Sequence, residues 1–125
     1  MPRILVVDDD GGMRRVLRAY FERAGHDVVE ADSAAAAMAA VTEGELPDAV
    51  VSDVLMPGTD GLTFYRELIG TAPALKGRVV FLTGANRDPA VHEPIESLGV
   101  PLLGKMDDLQ LVVDAIRVQL IRRRG

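Results

Sequence analysis

The chain has 125 residues, of which 48% are hydrophobic and none is cysteine, and its net charge is −5. That length suits one domain with a single sizeable core, and the apolar content is too high for a disordered chain. Disulfides and thiolate metal sites are excluded by the lack of cysteine, and the negative balance disfavours nucleic acid as a partner.

In chain order, Arg3–Val7 is a short β-branched run and reads as a buried strand. Met13, Val16, Leu17, Tyr20 and Ala24 follow at helical spacing, with Gly25 where a helix would stop. Residues 26–31 (HDVVEA) form a second, weaker strand. An alanine-rich helix follows over 33–44, with Ser33 as N-cap and Gly44 beyond its end. Residues 48–54 (DAVVSDV) are the third strand. A helix over 60–70 starts on Asp60 as N-cap and ends on Gly70. Residues 78–83 (RVVFLT) and 100–103 (VPLL) are strands four and five. The fourth helix must come from RDPAVHEPIESLG, where Pro89 suits a first helical position but Pro94 falls inside. An interior proline deletes a hydrogen bond and clashes one turn back, so this helix is expected to be kinked, short, or to start only near Pro94.

The last helix is expected over 107–122. Leu109, Val112, Val113, Ile116 and Leu120 form its core stripe, and Leu111, Ala115, Val118 and Ile121 form a second one. The second stripe is either a partner or homodimer surface or part of a wide core face. The basic run Arg122–Arg124 reads as a solvated helix end. No apolar run is long enough to cross a bilayer and the N-terminus has no signal-like segment, so a cytoplasmic domain without a membrane partner is expected.

Strands and helices thus alternate as βαβαβαβαβα, and the strands are apolar enough for burial on both faces. The expected fold is α/β, a parallel five-stranded sheet with helices on each side. One domain is expected over 1–125, with no output domain in the chain.

The aspartates Asp8, Asp9 and Asp10 then lie just beyond the carboxyl end of the first strand. Asp53 closes the third strand, Thr83 the fourth, and Lys105 follows the fifth. In open α/β sheets, ligands gather outside the carboxyl ends of the strands, where strand order reverses. Carboxylates converging there would raise one another's pKa unless a hard cation sat among them. Oxygen-only donors suit Mg²⁺. Duller readings exist for each residue. Asp53 could cap a turn, Thr83 could be an ordinary strand-end hydroxyl, and Lys105 could be a surface lysine. Asp10 reads as an N-cap ahead of a metal role. His26 and His92 read as surface residues, and Pro57, Gly58 and Gly61 as turn formers.

Asp8-Asp9, SDVLMPGTDG (52–61), Thr83-Gly84 and Lys105 together resemble the signature of response-regulator receiver domains. The resemblance spans essentially the whole chain. It implies a doubly wound, flavodoxin-like sheet of order 2-1-3-4-5, a Mg²⁺ cofactor, and a histidine kinase or histidine phosphotransfer protein as partner. It makes Asp53 the phospho-acceptor, with Asp9, Asp53 and the Leu55 carbonyl on the metal and Asp8 acting through a water. Lys105 would pair with Asp53 at rest and with the phosphoryl group later, and Thr83 would donate its hydroxyl to that group. A domain of this kind promotes its own phosphorylation and dephosphorylation and turns over no substrate. Leu55 and Ala85 stand where a water-steering side chain often sits, and neither can hold a water, so self-dephosphorylation is expected to be slow.

Two departures bear on switching. Receivers usually follow the lysine with proline, and here Met106 follows, which leaves the lysine's geometry looser. Receivers also commonly carry an aromatic switch residue where this chain has Leu102. These departures motivate one alternative, a degenerate receiver acting only as an interaction module. A second alternative is a haloacid-dehalogenase-type phosphatase, in which Asp8 rather than Asp53 would take the phosphoryl group.

Overall fold

The computed structural model describes residues 1–84 and 89–121. The expectations for Ala85 and for the Arg122–Arg124 run therefore lie outside the described residues. The main sheet has five parallel strands: β1 (Arg3–Val7), β2 (Asp27–Ala31), β3 (Ala49–Asp53), β4 (Val79–Thr83) and β5 (Leu102–Gly104). Their order is β2-β1-β3-β4-β5, as the resemblance implied. Two-residue strands, Leu55–Met56 and Thr59–Asp60, form a small separate hairpin just after β3.

Side-chain alternation along the strands divides the core into two layers. Leu5, Val7, Val50, Val79 and Phe81 face helices α2 (Ala34–Glu43), α3 (Gly61–Thr71) and α4 (Pro89–Glu96). Ile4, Val6, Val51, Val80 and Leu82 face α1 (Gly11–Arg23) and α5 (Gln110–Ile121). Both faces of the sheet are covered, which is why its strands read as nearly unbroken apolar runs.

Helix starts follow the expected caps. Asp10 accepts from the Gly12 and Met13 amides, Ser33 from Ala36, and Asp60 from Thr63. Gly25 follows α1 with φ +93°, a left-handed stop that favours glycine. On α1 the fully buried residues are Leu17 and Phe21, whereas Val16 is exposed. Gly70 lies inside α3, which runs on to Thr71. Helix α4 is short, eight residues, and carries Pro94 within it.

Helix α5 begins three residues later than the pattern predicts, because two aspartates hold the preceding backbone out of the helix. Asp107 accepts from the Gly104 amide at 2.9 Å, and Asp108 accepts from the Gln110 amide at 2.9 Å. Val112, Val113 and Ile116 are buried as expected, with Leu109 and Leu120 packed beside them. Of the second stripe, Ala115 also packs against the core, while Leu111, Val118 and Ile121 are left in water.

Buried Gln119 breaks the apolar pattern of the core face, and its cause lies eighteen residues earlier. In the parallel ladder the Phe81 amide donates to the Pro101 carbonyl at 2.9 Å. By the same register the Val79 carbonyl would accept from the amide of residue 101, and proline has none. Gln119 fills the gap: its Nε2 donates to the Val79 carbonyl at 2.8 Å. Replacing Gln119 with leucine should cost about 1–3 kcal/mol by leaving a buried carbonyl unpaired. Pro101→Ala restores an amide on that edge, so the same Gln119→Leu change should cost less than half as much in its background. Urea unfolding of the four members of the cycle checks this, and equal costs in both backgrounds would refute it.

Candidate functional site

The order reversal falls between β1 and β3, and the register pairs Val7 with Ser52. Continuing that register by one residue sets Asp8 beside Asp53. Thr83 closes β4 opposite Gly104, so Lys105 enters the same edge one residue later. The Lys105 amide donates to the Thr83 carbonyl at 3.0 Å, which locks the lysine's backbone to that strand end.

Asp8, Asp53 and Thr83 are buried, and Asp9 is exposed at the mouth. One carboxylate oxygen from each of Asp8, Asp9 and Asp53 can be chosen so that all three lie within 4.8 Å of one another. Lys105 Nζ lies 2.8 Å from Asp53 Oδ2 and 3.0 Å from Asp8 Oδ2. The contact with Asp53 is a directed hydrogen bond, whereas Asp8 Oδ2 is buried with a charge partner but no aligned donor. The other oxygens are held by backbone: Asp53 Oδ1 accepts from the Leu55 amide at 3.1 Å, and Asp8 Oδ1 from the Asp10 amide at 2.9 Å.

Burial pushes the Asp8 carboxyl above its ordinary range, against the pull of the Asp10 amide and of Lys105. For Lys105, burial acts to lower the ammonium pKa. The hydrogen bond to Asp53 and the negative charges of Asp53 and Asp8 outweigh it, and the result is a rise. With every acid counted as ionised, three carboxylates and one ammonium carry a formal charge of −2, which a divalent cation would cancel. An all-oxygen donor set, closely spaced and with one buried oxygen lacking a directed donor, fits Mg²⁺.

The structure brings Asp8, Asp9, Asp53 and Lys105 together and sets Thr83 at the neighbouring strand end. Leu55 borders the site through its amide, with its side chain exposed. Lys105 stays in place without a following proline. Met106 is 91% exposed, and the bonds between Asp107 and Gly104 brace the loop instead. Gly61 is more than a turn former. A Cβ there would lie 3.1 Å from side-chain atoms of both Ile95 and Phe81, so a larger residue would press on the packing where α3 starts against the sheet. Leu102 packs in the same apolar layer as Ile95 of α4. Among the described residues, no helix is long and apolar enough to cross a membrane.

Comparison with known proteins agrees with this geometry. The family model described as the response regulator receiver domain matches residues 4–117. The chain belongs to that family. It is 39% identical to the transcriptional regulatory protein AruR of Pseudomonas aeruginosa, over 69% of this chain and 36% of that protein. It is 32% identical to the transcriptional regulatory protein AfsQ1 of Streptomyces coelicolor, over 100% of this chain and 53% of that protein. The chain thus spans about a third to a half of the length of these two relatives. A putative response regulator from Chloroflexus aurantiacus superposes with TM-score 0.83 at 28% identity, covering 97% of this chain and 98% of that one. The family is regulatory, and the fold is the flavodoxin-like one.

Asp8→Asn should stabilise the protein when no divalent cation is present, by about 1 kcal/mol, since a buried charge is removed while the Asp10 amide keeps its acceptor. The sign with pH follows from the raised pKa. Between 3.8 and the folded value, the folded state binds more protons than the unfolded one. Stability therefore falls as pH rises through that window. The advantage of Asp8→Asn should open as pH climbs above 3.8 and level off above the folded pKa of Asp8. Urea midpoints of both proteins from acid to neutral pH check this, and an advantage that shrinks with rising pH would contradict it.

Proposed function

We propose that the chain accepts a phosphoryl group on Asp53 from a phosphohistidine of a histidine kinase or histidine phosphotransfer protein in the cytoplasm. The observation that supports this most is the setting of Asp53: buried at a strand end, hydrogen-bonded to Lys105, and within one cation's reach of Asp8 and Asp9. A carboxylate oxygen of Asp53 forms the new O–P bond as the P–N bond breaks. The imidazole leaves with the electron pair and is protonated by solvent. No general base is required, because a carboxylate nucleophile carries no proton to remove.

Such transfers pass through a loose state in which the protein chiefly positions groups and balances charge. Lys105 does both. It neutralises Asp53 before transfer and can pass to a phosphoryl oxygen afterwards without moving its backbone. Thr83, at the neighbouring strand end, offers its hydroxyl to another phosphoryl oxygen. Mg²⁺ held by Asp9, Asp53 and the Leu55 carbonyl, with Asp8 behind them, would supply the remaining positive charge.

The change then passes towards α4 and α5. With Leu102 in place of an aromatic ring, it travels by shifts of packing against Ile95 rather than by a ring flip. The exposed Leu111, Val118 and Ile121 of α5 offer a surface for a second copy, which light scattering before and after phosphorylation tests.

Acetyl phosphate with Mg²⁺ should add one phosphoryl mass to the wild type and none to Asp53→Asn. Peptide mapping that finds the label on Asp8 would favour the phosphatase reading, and no label at all would favour the interaction module. Once formed, the adduct should persist for minutes or longer, because the Leu55 side chain cannot orient a water. Leu55→Asn should shorten its lifetime several-fold. A wild-type lifetime of seconds, followed by loss of label over time, would refute this.

A further inference from the structure

We propose that Arg14 is a positioning residue for Asp9, and so for cation binding; the inference rests on the metal site described above. Among the described residues, Asp9 differs from its neighbours in what holds it. Asp8 and Asp53 are each fixed by a backbone amide and by Lys105. The Asp9 carboxylate makes no hydrogen bond or ion pair to any described residue. Its place is set only by the backbone that carries it, which begins with the peptide joining Asp8 to Asp9.

That peptide is clamped. The Asp8 amide donates to the Ala31 carbonyl at 3.1 Å, which ties the start of the loop to the end of β2. The Asp8 carbonyl, which fixes the plane of the next peptide, accepts from Arg14 Nη1 at 2.5 Å. Arg14 is itself held: its Nε donates to Glu30 Oε1 at 3.1 Å. The second oxygen of Glu30 accepts from Arg18 Nη1. Arg18 is anchored to the Val28 carbonyl at 3.0 Å and to Glu22 at 3.3 Å. A planar guanidinium can span two acceptors in fixed directions, which a lysine ammonium cannot do in the same way. The row Glu22–Arg18–Glu30–Arg14 therefore ends as a strut on one carbonyl oxygen beside the metal site. Groups behind metal ligands commonly govern affinity by holding those ligands in place.

The two roles open to Arg14 predict opposite signs. If it acts only through its charge, removing a cation near the acidic cluster should tighten Mg²⁺ binding. If it positions Asp9, removing it should weaken binding although a repulsive charge has gone. Arg15 provides the control. It is exposed on the same turn, and among the described residues it has no ion pair.

The test is calorimetric titration of Mg²⁺ into the whole chain, with Asp9 and Asp53 amide shifts followed by NMR. Arg14→Gln should weaken binding about tenfold and move the Asp9 amide more than the Asp53 amide. Arg15→Gln should bind as tightly as wild type or tighter. Arg14→Lys keeps the charge but not the fork, and should also weaken binding; it carries the test if Arg14→Gln does not fold. Arg14 variants that bind Mg²⁺ as tightly as Arg15→Gln would overturn the inference and leave the metal site standing. A wild type that takes up no Mg²⁺ would overturn the metal site itself and this inference with it.

Discussion

Lys105 joins the two buried acids of the site. Its ammonium lies within 3.0 Å of both Asp8 and Asp53. Without it, two carboxylates at adjacent strand ends would share a dry corner with no compensating charge, and burial alone already disfavours the ionised form of Asp8. One lysine cannot balance three acids, so the site carries an excess of acidic groups. Under the proposed function, that excess is what would draw a divalent cation and, after it, a phosphoryl group.

The fold serves this arrangement. Parallel strands deliver their carboxyl ends to one edge, and the strand order reverses there between β1 and β3. The two apolar layers hold the strands in register, so that Asp8, Asp53, Thr83 and Lys105 arrive from four strands at one spot. The close approach of α3 at Gly61 and the Asp107 brace on the β5 turn fix the two loops that carry Leu55 and Lys105. Such a site is well positioned because its parts sit at the ends of rigid elements.

Much of this was legible in the sequence because it is written in local signals. An apolar run ending in acids places Asp8 and Asp9. Ser33 and Asp60 announce helix starts by cap chemistry, and Pro94 announces a short α4. What the sequence concealed depends on partners far apart in the chain. Gln119 makes sense only once Pro101 is seen to withhold an amide from Val79. Arg14 matters only because the fold carries Glu30 and the Asp8 carbonyl to its two ends. Gly61 looks like any turn glycine until Ile95 and Phe81 close over it. The late start of α5 was hidden for a related reason: Asp107 and Asp108 fit a helical first turn by composition, yet their side chains are engaged by the backbone around them.

The central claim is that the acids after β1 and the acid closing β3 share one cation beside the phospho-acceptor. A crystal structure of the chain grown with Mn²⁺ in place of Mg²⁺ tests it most directly, since the anomalous signal locates the ion independently of the protein coordinates. The account predicts a single strong peak within bonding distance of Asp9 and Asp53, with Lys105 still against Asp53. A peak elsewhere with this corner left vacant, or carboxylates turned apart around an empty crevice, would contradict it.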